Sequence, residues 1–570
     1  MKFPAAAAVL VLAGSVIAVS PRALAQTSAD IVHTAAGDEI VVDLEDSASD
    51  ADVAAIARAA GVTLLPNSFM AREDRVMRAI VPAGTAASVA ARIRSMAHVT
   101  GADANFRVRA SFMPNDPQLE QQWHMTRVGA PTAWNYSCGR GVTVAVVDTG
   151  VACENRGEFT RVLDLAGTRC LPGFDFVLDS EHASDQQGHG THVAGTIAQT
   201  TNNGFGVAGL AYCATILPVR VLDQDGYGSL ADVAEGIRYA ADHGAQVINL
   251  SLGGGFRSRV MEDAVVYARA HGAVVVCAAG NNGRYVESPA NAPGSFAVSA
   301  TDPGDALAYF SSRGPEVDIA APGVNVTQHT ICNHGRDRCE QFAAWSGTSM
   351  AAPHVAGIAA MIYALGVNNP DAVERVLRDS ASHSSTGSTD REHYGAGIVD
   401  AAAAVRMAVT RLAWARGLAL LAGLAFIVFM VRRAKGALAP VYAWLPTAVF
   451  TGLGLFFLPW FVPRVVPGVD LAMRPLGDWT MLLGMSVHRW LPLANAAIVL
   501  LFVAVGFSRP KWRAPIGGLA LGTFAYVVGG WFTGFLAAPM GRWLLPLWIL
   551  ANAVACLWVA RIALDRETAK

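Results

Sequence analysis

Between Leu412 and Ala560 the chain carries five apolar stretches: Leu412–Val431, Val441–Phe461, Trp490–Phe507, Pro515–Ala537 and Trp543–Ala560. Each is about long enough to cross a hydrocarbon core of ~30 Å as a helix rising ~1.5 Å per residue. Helices of a water-soluble domain keep a polar face, and these stretches lack one. Residues 408–570 are therefore expected to form an all-α transmembrane bundle of about five helices. Trp414, Trp444, Trp460, Trp490 and Trp543 sit near the stretch ends, where interfacial anchors belong. Leu476–Val487 is too short for a further span; if it crossed, the C-terminus would move outside. Asp470, Arg474 and Asp478 are expected to be solvated in a loop. Gly484-Met485-Ser486 with His488 spaces its polar groups at i and i+2, which is no dyad on one helix face.

The other end of the chain is built for export. Lys2, the apolar run Ala5–Val19 and Ala23-Leu24-Ala25 read as a signal peptide over residues 1–25. With 570 residues, three or four domains are expected, and charged residues spread through the first four hundred positions before thinning sharply. A net charge of −2 points to no nucleic-acid partner. If the soluble part is exported, the first span runs inward. Arg432, Arg433 and Lys435, then Arg509, Lys511 and Arg513, then Arg561, Arg566 and Lys570 fall on the cytoplasmic side. Only Arg464, Arg474, Arg489 and Arg542 fall outside, in keeping with the positive-inside rule. Eight cysteines then meet an oxidising compartment. Cys332 and Cys339 flank one short loop and Cys153 and Cys170 another, so both are candidate bridges. Cys556 is a membrane thiol, and Cys138, Cys213 and Cys277 remain.

Residues 26–113 form a unit of their own. Strand patterns at Glu39–Leu44, Val62–Phe69, Arg75–Val81 and Val99–Ala110 alternate with helix patterns at Ser49–Ala60 and Ala86–Met96 in the order βαββαβ, the split ferredoxin-like α+β arrangement. It lies between the signal peptide and the segment that begins at residue 114. Met113-Pro114-Asn115-Asp116-Pro117 is a turn-rich junction suited to processing.

Residues 114–407 alternate strand and helix patterns, as in a parallel sheet wrapped on both faces. The β-branched run Val142–Val147 reads as a buried strand ending in Asp148-Thr149-Gly150, at the edge where ligands gather. Gly188-His189-Gly190-Thr191-His192 opens a helix. His189 suits a base, and His192 a structural role, since no glutamate in helical register completes a zinc motif. Val274–Cys277 is a second buried strand, ending in Ala278-Ala279-Gly280-Asn281. Trp345-Ser346-Gly347-Thr348-Ser349-Met350-Ala351-Ala352-Pro353-His354 leads into a helix expected from Ala351 to about Leu365. Its mouth exposes the Ser349 hydroxyl, with Pro353 in the first turn where no N–H is missed. Alone, each motif also fits a turn or a helix cap.

Taken together, Asp148-Thr149-Gly150, Gly188-His189-Gly190-Thr191-His192, Asn249-Leu250-Ser251-Leu252-Gly253-Gly254, Gly280-Asn281 and Gly347-Thr348-Ser349-Met350-Ala351 resemble the subtilases, the subtilisin-like serine proteases. The resemblance runs from Gln122 to Val405 in the order acid, histidine, serine. It implies a subtilisin-like α/β fold with Ser349 as nucleophile, His189 as general base and Asp148 as its orienting acid. Asn281 and the Ser349 N–H would make the oxyanion hole. Ser251, Leu252, Gly253 and Gly254 would pair with a substrate strand. Gly253 and Gly254, with Ala278, Ala279 and Gly280, would line the specificity pocket. No position needed for the family chemistry is substituted. In the subtilase sheet the strands after Cys138 and Cys213 are parallel neighbours, which implies a Cys138–Cys213 disulfide and leaves Cys277 as a buried free thiol. The chemistry requires no cofactor. Subtilases often carry a structural calcium in the loop here spanning Thr201–Gly206; Asn203 offers an oxygen, but no carboxylate cluster marks a site, and no metal ligands are assigned.

The sequence thus leads to a serine endopeptidase made as a zymogen. It would be held on the outer face of a bacterial-type inner membrane, with a polypeptide substrate, its own propeptide and the lipid bilayer as partners. The alternative is a membrane sensing or transport protein whose protease domain is regulatory.

Overall fold

The computed structural model describes residues 35–566 apart from 69–70, 72–73, 83, 107–111, 256, 385–386, 389, 462–467, 484–494 and 537–542. The expected signal peptide, the Gly484-to-His488 segment and Arg464, Arg489 and Arg542 lie outside the described residues. Two compact units divide at Ala110.

The first unit is a four-stranded antiparallel sheet, β1 (Ala35–Leu44), β2 (Leu65–Pro66), β3 (Val76–Ile80) and β4 (Val99–Phe106), in the order β2-β3-β1-β4. Helices Asp50–Ala60 and Ala86–Arg94 complete the βαββαβ order. A capping box starts the first of them: Ser49 and Asp52 satisfy each other's backbone N–H groups. Ile40, Val42 and Leu44 alternate inward from β1 to meet Ile56 and Ile93. The second strand is only two residues long, much shorter than its apolar run suggests.

In the second unit a parallel sheet runs β12-β11-β10-β9-β5-β8-β6, with β7 also beside β8. The strands are β5 (Thr143–Asp148), β6 (Arg169–Cys170), β7 (Phe174–Asp175), β8 (Thr215–Arg220), β9 (Val247–Leu250), β10 (Val274–Ala278), β11 (Ser295–Thr301) and β12 (Val317–Pro322). Their residues serve two cores. Val144 and Val146 face helices His189–Ala198 and Thr348–Tyr363, whereas Ala145 and Val147 face helices Leu230–Asp242 and Arg259–Ala270. Because both faces are covered, the strands are apolar throughout rather than alternating. Strand β5 pairs with β8 on one side and β9 on the other, so chain order reverses about it. Its carboxyl end, with those of β9 and β10, forms the crevice where such sheets bind ligands. Cys138–Cys213, Cys153–Cys170 and Cys332–Cys339 are bridged, and Cys277 and Cys556 are free and buried.

The soluble and apolar parts meet without a break. Asp400 caps a single helix, Ala401–Arg433, by accepting the Ala403 N–H. The expected boundary after residue 407 falls inside it. Among the described residues three helices are long and apolar enough to cross a membrane: Ala401–Arg433, Pro510–Phe532 and Leu544–Leu564. A shorter apolar helix, Asn495–Gly506, takes up part of the third expected stretch. Val441–Phe461 is not one helix. It breaks into a helix over Leu445–Gly452 flanked by 3-10 turns, because Pro446 and Pro459 can only begin such pieces. Gly454, at φ +64°, lets the chain turn where a Cβ would lie 2.4 Å from the Met473 carbonyl oxygen.

The solvated acids and arginine expected near residue 474 are instead part of the junction. Asp478 is 1% exposed and Arg474 6%, while Asp470 is half-buried. Asp478 faces the Arg416 guanidinium at 3.5 Å and accepts the Tyr526 hydroxyl at 2.6 Å. Arg474 donates to the Ala364 carbonyl at the end of the Thr348–Tyr363 helix. Asn369 reaches the Gly534 carbonyl, and Leu412 and Phe535 extend the core of the sheet domain itself. Removing one member of a buried ion pair strands the other. Asp478→Ala should therefore destabilise the full chain by about 3–5 kcal/mol, read as a lowered thermal unfolding midpoint in detergent.

Candidate active site

Asp148 ends β5, fully buried, and its Oδ1 lies 2.7 Å from Nδ1 of His189 at the start of helix His189–Ala198. The Thr149 N–H donates to the same oxygen at 2.8 Å. Gly190 must be glycine for this approach, since a Cβ there would stand 2.1 Å from the Gly150 carbonyl oxygen. Burial drives the His189 imidazolium down, but the charge and hydrogen bond of Asp148 outweigh it and leave the group above its ordinary value.

A second acid, which the motifs did not single out, holds the histidine's loop. Asp185 is buried and accepts from the N–H groups of Gln187, Gly188 and Thr191 and from the Thr149 and Thr191 hydroxyls. Thr149 in turn accepts the Gly190 N–H at 2.9 Å. One buried carboxylate thus ties the Asp148 turn to the His189 turn. Local sequence shows only an acid four residues before the histidine, a pattern that surface loops share. His192 is structural. Its ring stacks on Trp345 at 4.5 Å, its Nε2 donates to the Ala343 carbonyl, and burial pushes it down to about 3.

The helix that carries Ser349 starts at Thr348, three residues earlier than expected, so Pro353 lies in the second turn. Its missing N–H would have bonded the carbonyl of Ser349. That carbonyl accepts the Ser251 hydroxyl instead, at 2.8 Å, and the Ser349 hydroxyl donates back to the Ser251 carbonyl at 3.0 Å. The strand end after β9 is thereby clasped to the helix mouth. Thr348 performs a similar service for Asn281. Its N–H and hydroxyl both donate to Asn281 Oδ1, at 2.9 and 3.0 Å. With the carboxamide oxygen so occupied, the orientation of the NH₂ group is fixed where Asn281 lines the cleft. A donor held this way costs no reorganisation when negative charge develops nearby.

Thr149, His189, Asn281, Thr348 and Ser349 open onto one cleft of about 590 Å³. Of the expected substrate-binding residues, Ser251, Leu252, Gly253, Gly254, Ala278 and Gly280 line it. Ala279 does not: it points into the opposite core, since consecutive residues of an extended segment face opposite ways. Asp225 and Glu287 also line the cleft, and neither was expected from the motifs. The Thr201–Gly206 loop is held by hydrogen bonds to two acids, Asp164 and Asp116. Asn203 spends its Nδ2 on Asp164 and its Oδ1 on the Phe205 N–H, while Asp116 accepts the N–H groups of Asn202 and Asn203. No cluster of three or more His, Cys, Asp or Glu suited to a metal occurs among the described residues.

A profile of the subtilase family matches residues 139–397. A thermophilic serine proteinase of Bacillus sp. (strain AK1) is 37% identical over 354 residues, spanning 61% of this chain and 83% of that protein. The chain belongs to the subtilase family. Thermitase of Thermoactinomyces vulgaris is 43% identical over 257 residues, 45% of this chain and 87% of thermitase. Subtilisin BL of Lederbergia lenta is 40% identical over 286 residues, 50% of this chain and 98% of that protein. This subtilase is a serine protease of the subtilisin type. Its Ser251–Ser349 clasp carries a direct test. Ser251→Ala leaves the Ser349 carbonyl without a donor and should lower stability by about 1–3 kcal/mol in denaturant unfolding, with a parallel loss of peptide hydrolysis.

Proposed function

We propose that this subtilase is a membrane-anchored endopeptidase, made as a zymogen, that cleaves polypeptides outside the cytoplasm through Asp148, His189 and Ser349. The observation that carries the reading is the 2.7 Å contact of Asp148 with His189 on the cleft that also presents Ser349 and the Asn281 amide. In this scheme Ser349 Oγ leaves the Ser251 carbonyl by rotation about χ1 and attacks the scissile carbonyl carbon as its proton passes to His189 Nε2. Asn281 Nδ2 and the Ser349 N–H stabilise the oxyanion. His189 returns the proton to the departing amine as the C–N bond breaks, leaving an acyl-enzyme. Water, deprotonated by the same imidazole, then releases the carboxylate. Asp148 holds Nδ1–H, so that Nε2 is the free base, and offsets the charge of the imidazolium.

The domain boundaries proposed are a signal peptide over residues 1–25, an inhibitory segment over 26–113, the protease over 114–407 and the membrane region over 408–570. Supporting the location are the three disulfides, the three helices of spanning length and the basic residues after each expected inward span. A second reading, in which the membrane region senses and the protease responds, draws on the buried Arg416–Asp478–Tyr526 cluster, since ionisable groups buried in an apolar bundle mark functional sites. Truncation after Arg411 separates the two: lost substrate choice with retained hydrolysis of short peptides would favour sensing or recognition by the helices.

Ser349→Ala should abolish both peptide hydrolysis and release of the N-terminal unit, followed by the size of the membrane-bound product. Retained proteolysis in that variant would refute the assignment. The acid limb of kcat/KM should have its midpoint above pH ~6.5, because activity is lost as His189 gains a proton and its affinity for that proton is raised. Asp148→Asn leaves burial opposed only by the charge of Asp185, the smallest of the named causes, so the limb should move to lower pH while kcat falls by about 10⁴-fold.

A further inference from the structure

The cleft has a charge pattern that the proteolytic chemistry does not use. Among the described residues its charged lining groups besides His189 are Asp225 and Glu287, and no lysine or arginine lines it. Glu287 occupies a particular place. Strands β9 and β10 are parallel neighbours, so the segments that follow them, Ser251–Gly254 and Ala278–Gly280, run side by side past Ser349. Both walls close on the Glu287 carboxylate. A Cβ at Gly280 would lie 2.8 Å from Oε2, and one at Gly253 would lie 3.3 Å from the same oxygen. The carboxylate therefore stands where two side-chain-free walls meet, one residue from the Asn281 amide.

Its orientation is built as well. Oε1 accepts from Asn282 Nδ2 at 2.8 Å, and Asn282 is itself fixed by the N–H groups of Arg284 and Tyr285 on its Oδ1. The Glu287 backbone N–H is anchored on the Ala279 carbonyl at 2.9 Å. Oε2 has no hydrogen-bond or ion-pair partner among the described residues, and Glu287 is half-buried. One oxygen is tied down and the other is presented to the cleft.

We propose that Glu287 makes this protease select a lysine or arginine side chain at the residue whose carbonyl is cleaved; the inference rests on the roles proposed for Ser349 and Asn281. Those two groups fix the carbonyl, and the side chain beside it then enters the recess between the Gly253 and Gly280 walls, with Glu287 at its end. The apolar stem of Lys or Arg passes the glycine walls and its head meets Oε2 in a charge-assisted hydrogen bond. A neutral side chain of similar length covers the carboxylate without neutralising it, and an acidic one meets like charge, with Asp225 adding to the repulsion.

The test uses the full-length protein in detergent and a set of fluorogenic peptides identical except at the residue before the scissile bond: Arg, Lys, Gln, Phe or Glu. The expected kcat/KM for Arg and Lys exceeds that for Gln and Phe by at least about tenfold. Glu287→Gln should shrink the Arg-to-Gln ratio by at least about tenfold, and Glu287→Lys should invert the series in favour of Glu. Ratios within one variant are independent of how much active protein it yields. Cleavage with no basic preference, or ratios unmoved in both variants, would overturn the role of Glu287 while leaving the protease reading intact. Hydrolysis that persists in Ser349→Ala would instead overturn the reading on which the inference rests.

Discussion

A proline inside a helix leaves one carbonyl oxygen without its backbone donor, and in this subtilase that oxygen belongs to Ser349, the proposed nucleophile. The Ser251 hydroxyl satisfies it, and the Ser349 hydroxyl answers on the Ser251 carbonyl. An unsatisfied buried carbonyl costs about 1–3 kcal/mol, so the pair has reason to stay closed. The closure is also geometric, because it pins the segment after β9 to the mouth of the Thr348–Tyr363 helix. Substrate would lie along that segment, so its binding edge and its attacking atom are held to each other directly. Thr348 and Asp185 repeat the device on either side, one aiming the Asn281 amide and the other joining the Asp148 and His189 turns.

Much of this was legible in the residues. Continuous β-branched runs gave the buried strands, and each chemistry-bearing motif sits at a strand end or helix start, where a parallel sheet exposes its polar groups. The βαββαβ order of the first unit was readable from its residue patterns, and the pairing of Cys138 with Cys213 was implied by the resemblance to the subtilase sheet. What escaped was set by contacts between segments distant in the chain. Asp185 and Glu287 look like ordinary loop acids until the turns they serve are folded against them. Ala279 shares its neighbours' composition but not their side of the chain. Pro353 was placed in the first turn because the alanines after Met350 mark the helix more plainly than its true start at Thr348.

The apolar third was read correctly as helical and less correctly as uniform. Hydropathy registers side chains, so it passed over the break that Pro446, Pro459 and Gly454 impose on the backbone between residues 441 and 461. A single arginine in the apolar stretch Leu412–Val431 likewise gives no sign of its partner. Arg416 is buried because Asp478 and Tyr526 arrive from elsewhere in the chain, and the residues expected to be hydrated are the ones that make its burial tolerable.

Helix Ala401–Arg433 belongs to both halves of the second unit. Its first turns, through Leu412, are packed into the core beneath the sheet, and its remaining residues run on as apolar helix. At ~1.5 Å per residue the whole rod is about 50 Å long. Were a flexible linker in its place, the cleft could sample a volume above the bilayer. A rod embedded at one end in the protease core, and braced by Arg474 and Asn369 at the junction, would give the cleft of the proposed membrane enzyme a set altitude and bearing instead. Anchored as proposed, such an enzyme would sort proteins by geography: a bond would be cut only if presented at that height above the membrane.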